Sequence, residues 1–307
     1  MSFALLFEQT LGALQLGVML FLLAAGLTLV FGIMGLINLA HGSLYMIGAY
    51  VTAAAAGASG SFFIGLVAGL AAAAAAGVAI EVIALRRLYD RDHLHQVLAT
   101  FGLILMANEG MVMIFGRQPL RVDLPTGLSA SIQLLPGLYY PVYRLAIIAV
   151  GIAVALFLYF LIARTRLGML IRAGSTHRTF VGGLGVNIQL LFTLVFGIGA
   201  MLAGLAGALA GPIYTVEVGM GETIIILTFV VIIIGGIGSI RGALIGAFLV
   251  AIVDSFGRAI LPKLLLTFLP PAAASGIGAA LASMSIYILM AVVLALRPRG
   301  LFPAAHA

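Results

Sequence analysis

The chain has 307 residues, 64% of them hydrophobic and 8% charged, with a formal net charge of +6 and neither Cys nor Trp. Soluble domains carry about a quarter charged residues, so the composition excludes an ordinary soluble fold and leaves a polytopic α-helical membrane protein with a mean hydropathy of +1.27. The basic residues are spread over short loops, which reads as topology and not as a nucleic-acid-binding face, and the absence of Cys excludes disulfide staples and thiolate metal sites.

Met1–Thr10 has no basic segment and contains Glu8, so the first apolar segment is expected to be retained and not cleaved as a signal peptide. A bilayer core takes about 20 apolar residues, and such runs fall near 10–33, 37–57, 61–85, 94–116, 141–163, 189–212, 223–238, 242–261 and 276–296. The pair 223–238 and 242–261 reads as two short crossings or as one broken element. The expected fold is therefore all-α, with about 8–9 spans in a single domain over 1–307.

Arginines orient these spans. Arg86, Arg87 and Arg91 follow the third; Arg164, Arg166, Arg172 and Arg178 follow the fifth; Arg297 and Arg299 follow the last. All lie inside if the N-terminus is outside and the C-terminus inside. The 117–140 and 262–275 loops then lie outside, with Arg117, Arg121 and Lys263 counting mildly against the scheme.

Within the second run, residues 36–50 place Asn38, His41, Ser43 and several glycines in an apolar setting. A second Gly-dense stretch, 235–247, carries Gly235, Gly236, Gly238 and Ser239. Paired interrupted segments mark a transport path, and irregular backbone at membrane depth is tolerated only where protein or a water-filled cavity satisfies it. The two stretches fit a pair of internal repeats. Asn38, His41, Gly42 and Ser43 then line or gate the path. The bland alternative is that Asn38 and His41, which share a face if helical, only tie helices together. Four-residue spacings of small residues (Gly65, Gly69, Ala73, Gly77; Gly199, Ala203, Gly207, Gly211) predict close helix packing.

The fourth run holds Asn108 and Glu109, intramembrane polar residues with either a functional or a pairing role. His93 and His95 share a loop with Asp90, Arg91 and Asp92 and read as solvated, not as a metal site. Residues 164–187 interleave Leu167, Leu170, Ile171 and Phe180 with arginines, the pattern of a short amphipathic helix on the inner membrane surface. It serves either as a headgroup anchor or as a segment that docks into a soluble partner. Glu217 and Glu222 flank Gly219 and Gly221 at the outer mouth, and Asp254 with Arg258 forms a helix pair at spacing four.

Three stretches, GLINLAHGSLYMIGAY, RLGMLIRA…GGLGVN and GGIGSIRGALIGAFLVAI, resemble in family order the H-type permease subunits of branched-chain amino acid (LIV-type) ABC importers, over roughly residues 10–300. The resemblance implies a second, M-type permease, two cytoplasmic ATPase subunits, a periplasmic substrate-binding protein and location in the bacterial inner membrane among its lipids. It implies ATP and Mg on the partners and no cofactor on this chain. It assigns ATPase coupling to about 164–188, with Arg166, Gly168, Arg172, Ala173, Arg178 and Gly185 on the matched positions. The departures are Ser175–Arg178 where acids are usual, and Arg241 where Pro is common. Related permeases serve urea, short-chain amides or aromatic and carboxylate compounds.

No G-x-x-x-x-G-K-[ST] loop occurs, so nucleotide is not cradled by this chain. The competing class is an ATP-independent channel or secondary transporter. NLAHG superficially resembles the half-helix loops of water channels but lacks their Pro, and the second stretch holds no Asn-centred copy. A membrane-embedded enzyme fails for want of a His/Asp/Glu cluster.

Overall fold

The computed structural model describes residues 3–89, 91–176 and 178–302. Nine apolar helices carry the fold among these residues: α1 (Phe3–Met34), α2 (His41–Ser59), α3 (Phe62–Ile83), α4 (His93–Phe115), α6 (Val142–Arg164), α9 (Ile188–Ala210), α10 (Met220–Gly235), α11 (Ile240–Leu265) and α12 (Pro271–Leu296). The short α5 (Thr126–Ser129) and a two-stranded hairpin, β1 (Ser131–Leu135) with β2 (Leu138–Pro141), fill the long outer loop. The amphipathic segment forms α7 (Arg166–Thr176) and α8 (Arg178–Gly183). Seven of the nine helices are long and apolar enough to cross a membrane.

The two exceptions are informative. α10 has 16 residues, about 24 Å of helix against a core of about 30 Å. α2 has 19 residues but is rich in Gly and Ala, and its Tyr45, Tyr50 and Thr52 are buried. It is walled by protein and needs little lipid-facing hydropathy. The 223–261 region thus resolves into two helices joined by a tight turn, not one broken element. Gly236 and Gly238 hold the turn at φ of 105° and 81°, values glycine adopts without side-chain strain. Ser239 Oγ caps α11 by accepting the Gly242 N–H at 3.0 Å.

α1 is enclosed along residues 17–34, with α9 beside it. The small-residue faces do what their spacing predicts. A Cβ built on Gly65 would lie 2.6 Å from the Thr52 carbonyl oxygen, and one on Gly204 or Gly77 would overlap Ala73 or Ala200. Such backbone approach substitutes for the hydrophobic drive that lipid removes.

The ends of the bundle sort as the arginines predict. Arg86 bonds to Thr193 near the start of α9, and the amides of Leu301 and Phe302 each donate at 2.9 Å to the carbonyls of Ile234 and Gly235. Arg86, α7 and the C-terminal segment therefore share one end, which the positive-inside rule takes as the inner one. The β-hairpin and a Leu120–Val216 bridge occupy the other.

Candidate translocation site

The chain leaves α1 at Met34 and re-enters helix at His41, so the break precedes the second helix and Asn38 is not helical. Asn38 and His41 are 0% exposed. The His41 ring lies against Gly26 of α1, and the carbonyl of Gly199 approaches the same glycine from α9. Gly199 is the middle of α9 (Ile188–Ala210), so α2 starts at mid-membrane depth. Asn38 and His41 make no side-chain hydrogen bond of good geometry among the described residues; His41 has the Leu23 carbonyl nearby. Buried polar groups normally find partners, so this layer holds unused hydrogen-bonding capacity.

α10 starts at the same depth. Gly42 and Gly221 meet backbone to backbone, each leaving no room for a Cβ on the other. Two helix N-termini therefore converge, with no side-chain cap on either. Their positive dipole ends favour a negative group nearby, and Glu222 in the first turn of α10 supplies one. Its carboxylate accepts a hydrogen bond from Asn108 of α4, and both residues close around Gly42 and Ser43 with no room between them for a water molecule. Glu109 is exposed on α4 and makes no ion pair among the described residues.

The Gly-dense stretch expected to pair with this break does not adjoin it. Gly235, Gly236, Gly238 and Ser239 form the inner turn, where Gly238 packs on Gly32 and Gly300 on Gly236. What meets the first break is the start of α10, where Gly221 lies against Gly42 and Ser43. In sequence only the short length of α10 hints at this.

An outer cleft of about 740 Å³ descends toward this layer between α1, α6, α10 and α11. Its lining includes Gln9, Arg144, Glu217, Asp254 and Arg258 near the mouth, with Met19, Leu20, Ile224, Leu227 and Val250 deeper. Tyr45, one turn beyond His41, also lines it. The Asp254–Arg258 pair read from spacing is present at 2.8 Å, but it stands in the cleft with Glu217. The sequence reading scattered these residues.

At the inner end, Glu81 is 0% exposed and accepts from Tyr89 at 2.6 Å, Thr193 at 2.8 Å and Arg86 at 3.2 Å. The carboxylate bond strengthens the hold of Arg86, which lies outside the span, on its proton. Gln96 is also buried; its amide donates to the carbonyls of Leu88 and Arg91, and its oxygen accepts the Ile37 N–H. The 85–92 loop is thereby tied to the break before α2. Both residues escaped the sequence reading. The usable signal for Glu81 was an acid inside a span with Arg five residues on.

α7 packs on α6 and α1, with Gly168 pressed against the carbonyls of Leu161 and Ile162. Arg172 donates to the Ile162 carbonyl, and Arg166 and Gly185 are exposed while Ala173 is half-buried. His177 and the side chain of Arg178 lie outside the described residues. Asn187 closes the segment by capping α9, accepting the Leu190 N–H at 3.0 Å. His95 pairs with Asp92 in an exposed setting. The hydrogen bonds from His95 hold the Asp92 carboxyl below its ordinary range. No group of three metal-ligating residues occurs among the described residues.

Residues 9–294 match the family model described as branched-chain amino acid transport system, permease component. The chain is 30% identical over 262 residues to the high-affinity branched-chain amino acid transport system permease protein BraD of Pseudomonas aeruginosa, covering 81% of this chain and 85% of that one. It is 30% identical over 282 residues to the corresponding LivH protein of Escherichia coli, covering 85% and 88%. A probable LivH of Methanocaldococcus jannaschii is 27% identical over 80% of this chain and 78% of its own. No solved structure matches.

Proposed function

The chain belongs to the branched-chain amino acid transport permease family, a multi-pass transport subunit of the cytoplasmic membrane, and we propose that it carries branched-chain amino acids inward as one permease of an ATP-driven importer. Its partners on this reading are a second, homologous permease, two ATPase subunits that bind ATP and Mg, and a soluble protein that delivers substrate to the outer face. This chain contributes the path and the coupling surface and hydrolyses nothing.

The observation that carries the energy-coupled reading over a channel is α7–α8. It is a basic amphipathic element at the inner end, with Arg166 and Arg172 exposed. A facilitator has no use for such an element; a helix that docks into a soluble groove does. We assign Arg166, Arg172, Ala173, Arg178 and Gly185 to this surface. Gly168 sets how closely α7 lies on α6, and Arg172 ties it to the last turn of α6, so a push on α7 moves α6.

Asn38, His41, Gly42 and Ser43 act as the closed gate beneath the outer cleft. Their contacts with a passing solute are weak, because a permease must release what it receives. The turn at Gly235, Gly236, Gly238 and Ser239 serves as an inner pivot. The test is co-purification: the chain should come out of mild detergent with its ATPases, and Arg172→Glu should lose them while remaining folded. Stable purification of wild-type chain free of any ATPase, with uptake intact, would sink this reading.

A further inference from the structure

The outer cleft carries charge of both signs, and its balance points to a ligand. Four ionisable acids and bases line it: Arg144, Glu217, Asp254 and Arg258. Two are positive and two negative, so the formal charge of the lining is zero. Asp254 and Arg258 already satisfy each other through two bonds of 2.8 and 3.0 Å, with Arg258 also reaching Ser283 at 3.3 Å. Glu217 and Arg144 make no ion pair among the described residues. Deeper walls are aliphatic: Met19, Leu20, Ile224 and Leu227.

A ligand of net charge would leave an excess charge in a cleft whose floor cannot solvate it, and this is costly. A fully apolar ligand would make no use of Glu217 or Arg144, which it would leave to water. A zwitterion with an aliphatic side chain brings no excess charge and uses both. The volume of about 740 Å³ is ample for one such molecule with its water. The cleft opens at the end opposite the arginine-bearing loops and reaches Tyr45, one turn from His41.

Resting on the importer reading above, we propose that this cleft is the receiving site for a zwitterionic aliphatic α-amino acid. Glu217 takes the ammonium group and Arg144 the carboxylate. Asp254 and Arg258 form a preassembled neutral wall, and the α1 and α10 side chains hold the aliphatic part. Affinity is low and selection is by charge balance.

The chain has no Cys, so single cysteines report without background. Thr223→Cys and Ser255→Cys stand in the cleft; Ser275→Cys, exposed near the start of α12, is the control. Each variant is expressed with its cognate second-permease, ATPase and binding-protein genes, and leucine uptake is measured before and after a membrane-impermeant maleimide. The two cleft cysteines should label from outside and, once labelled, lose uptake by about tenfold or more, whereas labelled Ser275→Cys keeps it. Leucine-loaded binding protein should slow labelling in the cleft. Glu217→Gln and Arg144→Gln should each cut uptake by about tenfold, the equivalent of one charge-assisted contact. Glu217→Asp should recover part of the loss at normal expression. Unhindered uptake by labelled cleft variants, or charge variants at parental rates, would overturn the site. If the unmodified complex moves no leucine, the importer reading fails instead. The cleft is then judged by labelling alone: protection by neutral α-amino acids supports it and no protection refutes it.

Discussion

Gly42 and Gly221 offer a perturbation whose size can be worked from the structure. Each is the second residue of its helix, and a Cβ on either overlaps the carbonyl of the other; a Cβ on Gly42 would also lie 3.1 Å from that of Ile225. A relaxed carbon–oxygen contact needs about 3.3–3.6 Å, so alanine at either position must part α2 from α10 by about 1 Å. Overpacking of that kind costs about 1–3 kcal/mol. The same separation accommodates both methyl groups, so Gly42→Ala with Gly221→Ala should cost little more than the worse single change. That is a coupling of about 1–2 kcal/mol, within the range for touching residues. Unfolding in mixed detergent micelles, followed by circular dichroism, measures all four corners of the cycle. Leucine uptake should fall with the separation, since α10 carries part of the cleft wall. Strictly additive costs, or singles within about 0.5 kcal/mol of the parent, would show that the two helix starts do not touch. A leucine at 42 finds backbone on the facing side, so packing and transport should be lost together.

Glu81→Ala should lower stability by about 3 kcal/mol by removing a buried acceptor shared by three donors. The loss is softened because the side chain of Arg86 is 30% exposed; unfolding in detergent measures it, and a change under about 0.5 kcal/mol refutes the network. Arg172→Glu should leave insertion and fold intact while abolishing ATPase binding, and pull-down against the ATPase subunits decides. Reporter fusions after Arg87 and Arg299 should read cytoplasmic and one at Gly127 external; any reversal overturns the orientation. Asp92→Ala should fray the first turn of α4. Because the Asp92 carboxyl is held low by its bonds to His95, wild-type stabilisation is present above the ordinary carboxylate range and lost as pH falls through the depressed value. Amide exchange at His95 across pH 3–7 follows it.

The nine apolar runs were legible because hydropathy and length alone select helices in a bilayer. Their edges were not. α1 begins at Phe3, well before the apolar run at 10–33, because it extends past the hydrocarbon as the wall of the cleft. The break before α2 was legible from Asn38 and Gly42, since polar and flexible residues cluster where helix is abandoned. Glycine density pointed to 235–247, where it serves a tight turn, while the backbone that meets the break is that of Gly221 in the first turn of α10. The charged cleft joins Gln9, Arg144, Glu217 and Asp254 from four distant elements, and no local pattern encodes such a meeting. The Asp254–Arg258 spacing gave the pair and not its surroundings. Glu81 and Gln96 were hidden for the same reason, since their partners lie across helices.

The central claim is that this chain moves amino acid only when its partners hydrolyse ATP. Proteoliposomes holding the chain, its second permease and both ATPases, with leucine-loaded binding protein outside and nucleotide inside, measure it directly. Accumulation of leucine against its gradient with ATP, and none with a non-hydrolysable analogue, is the predicted result. Equilibration of leucine without ATP, at the rate seen with it, would identify a channel and contradict the account.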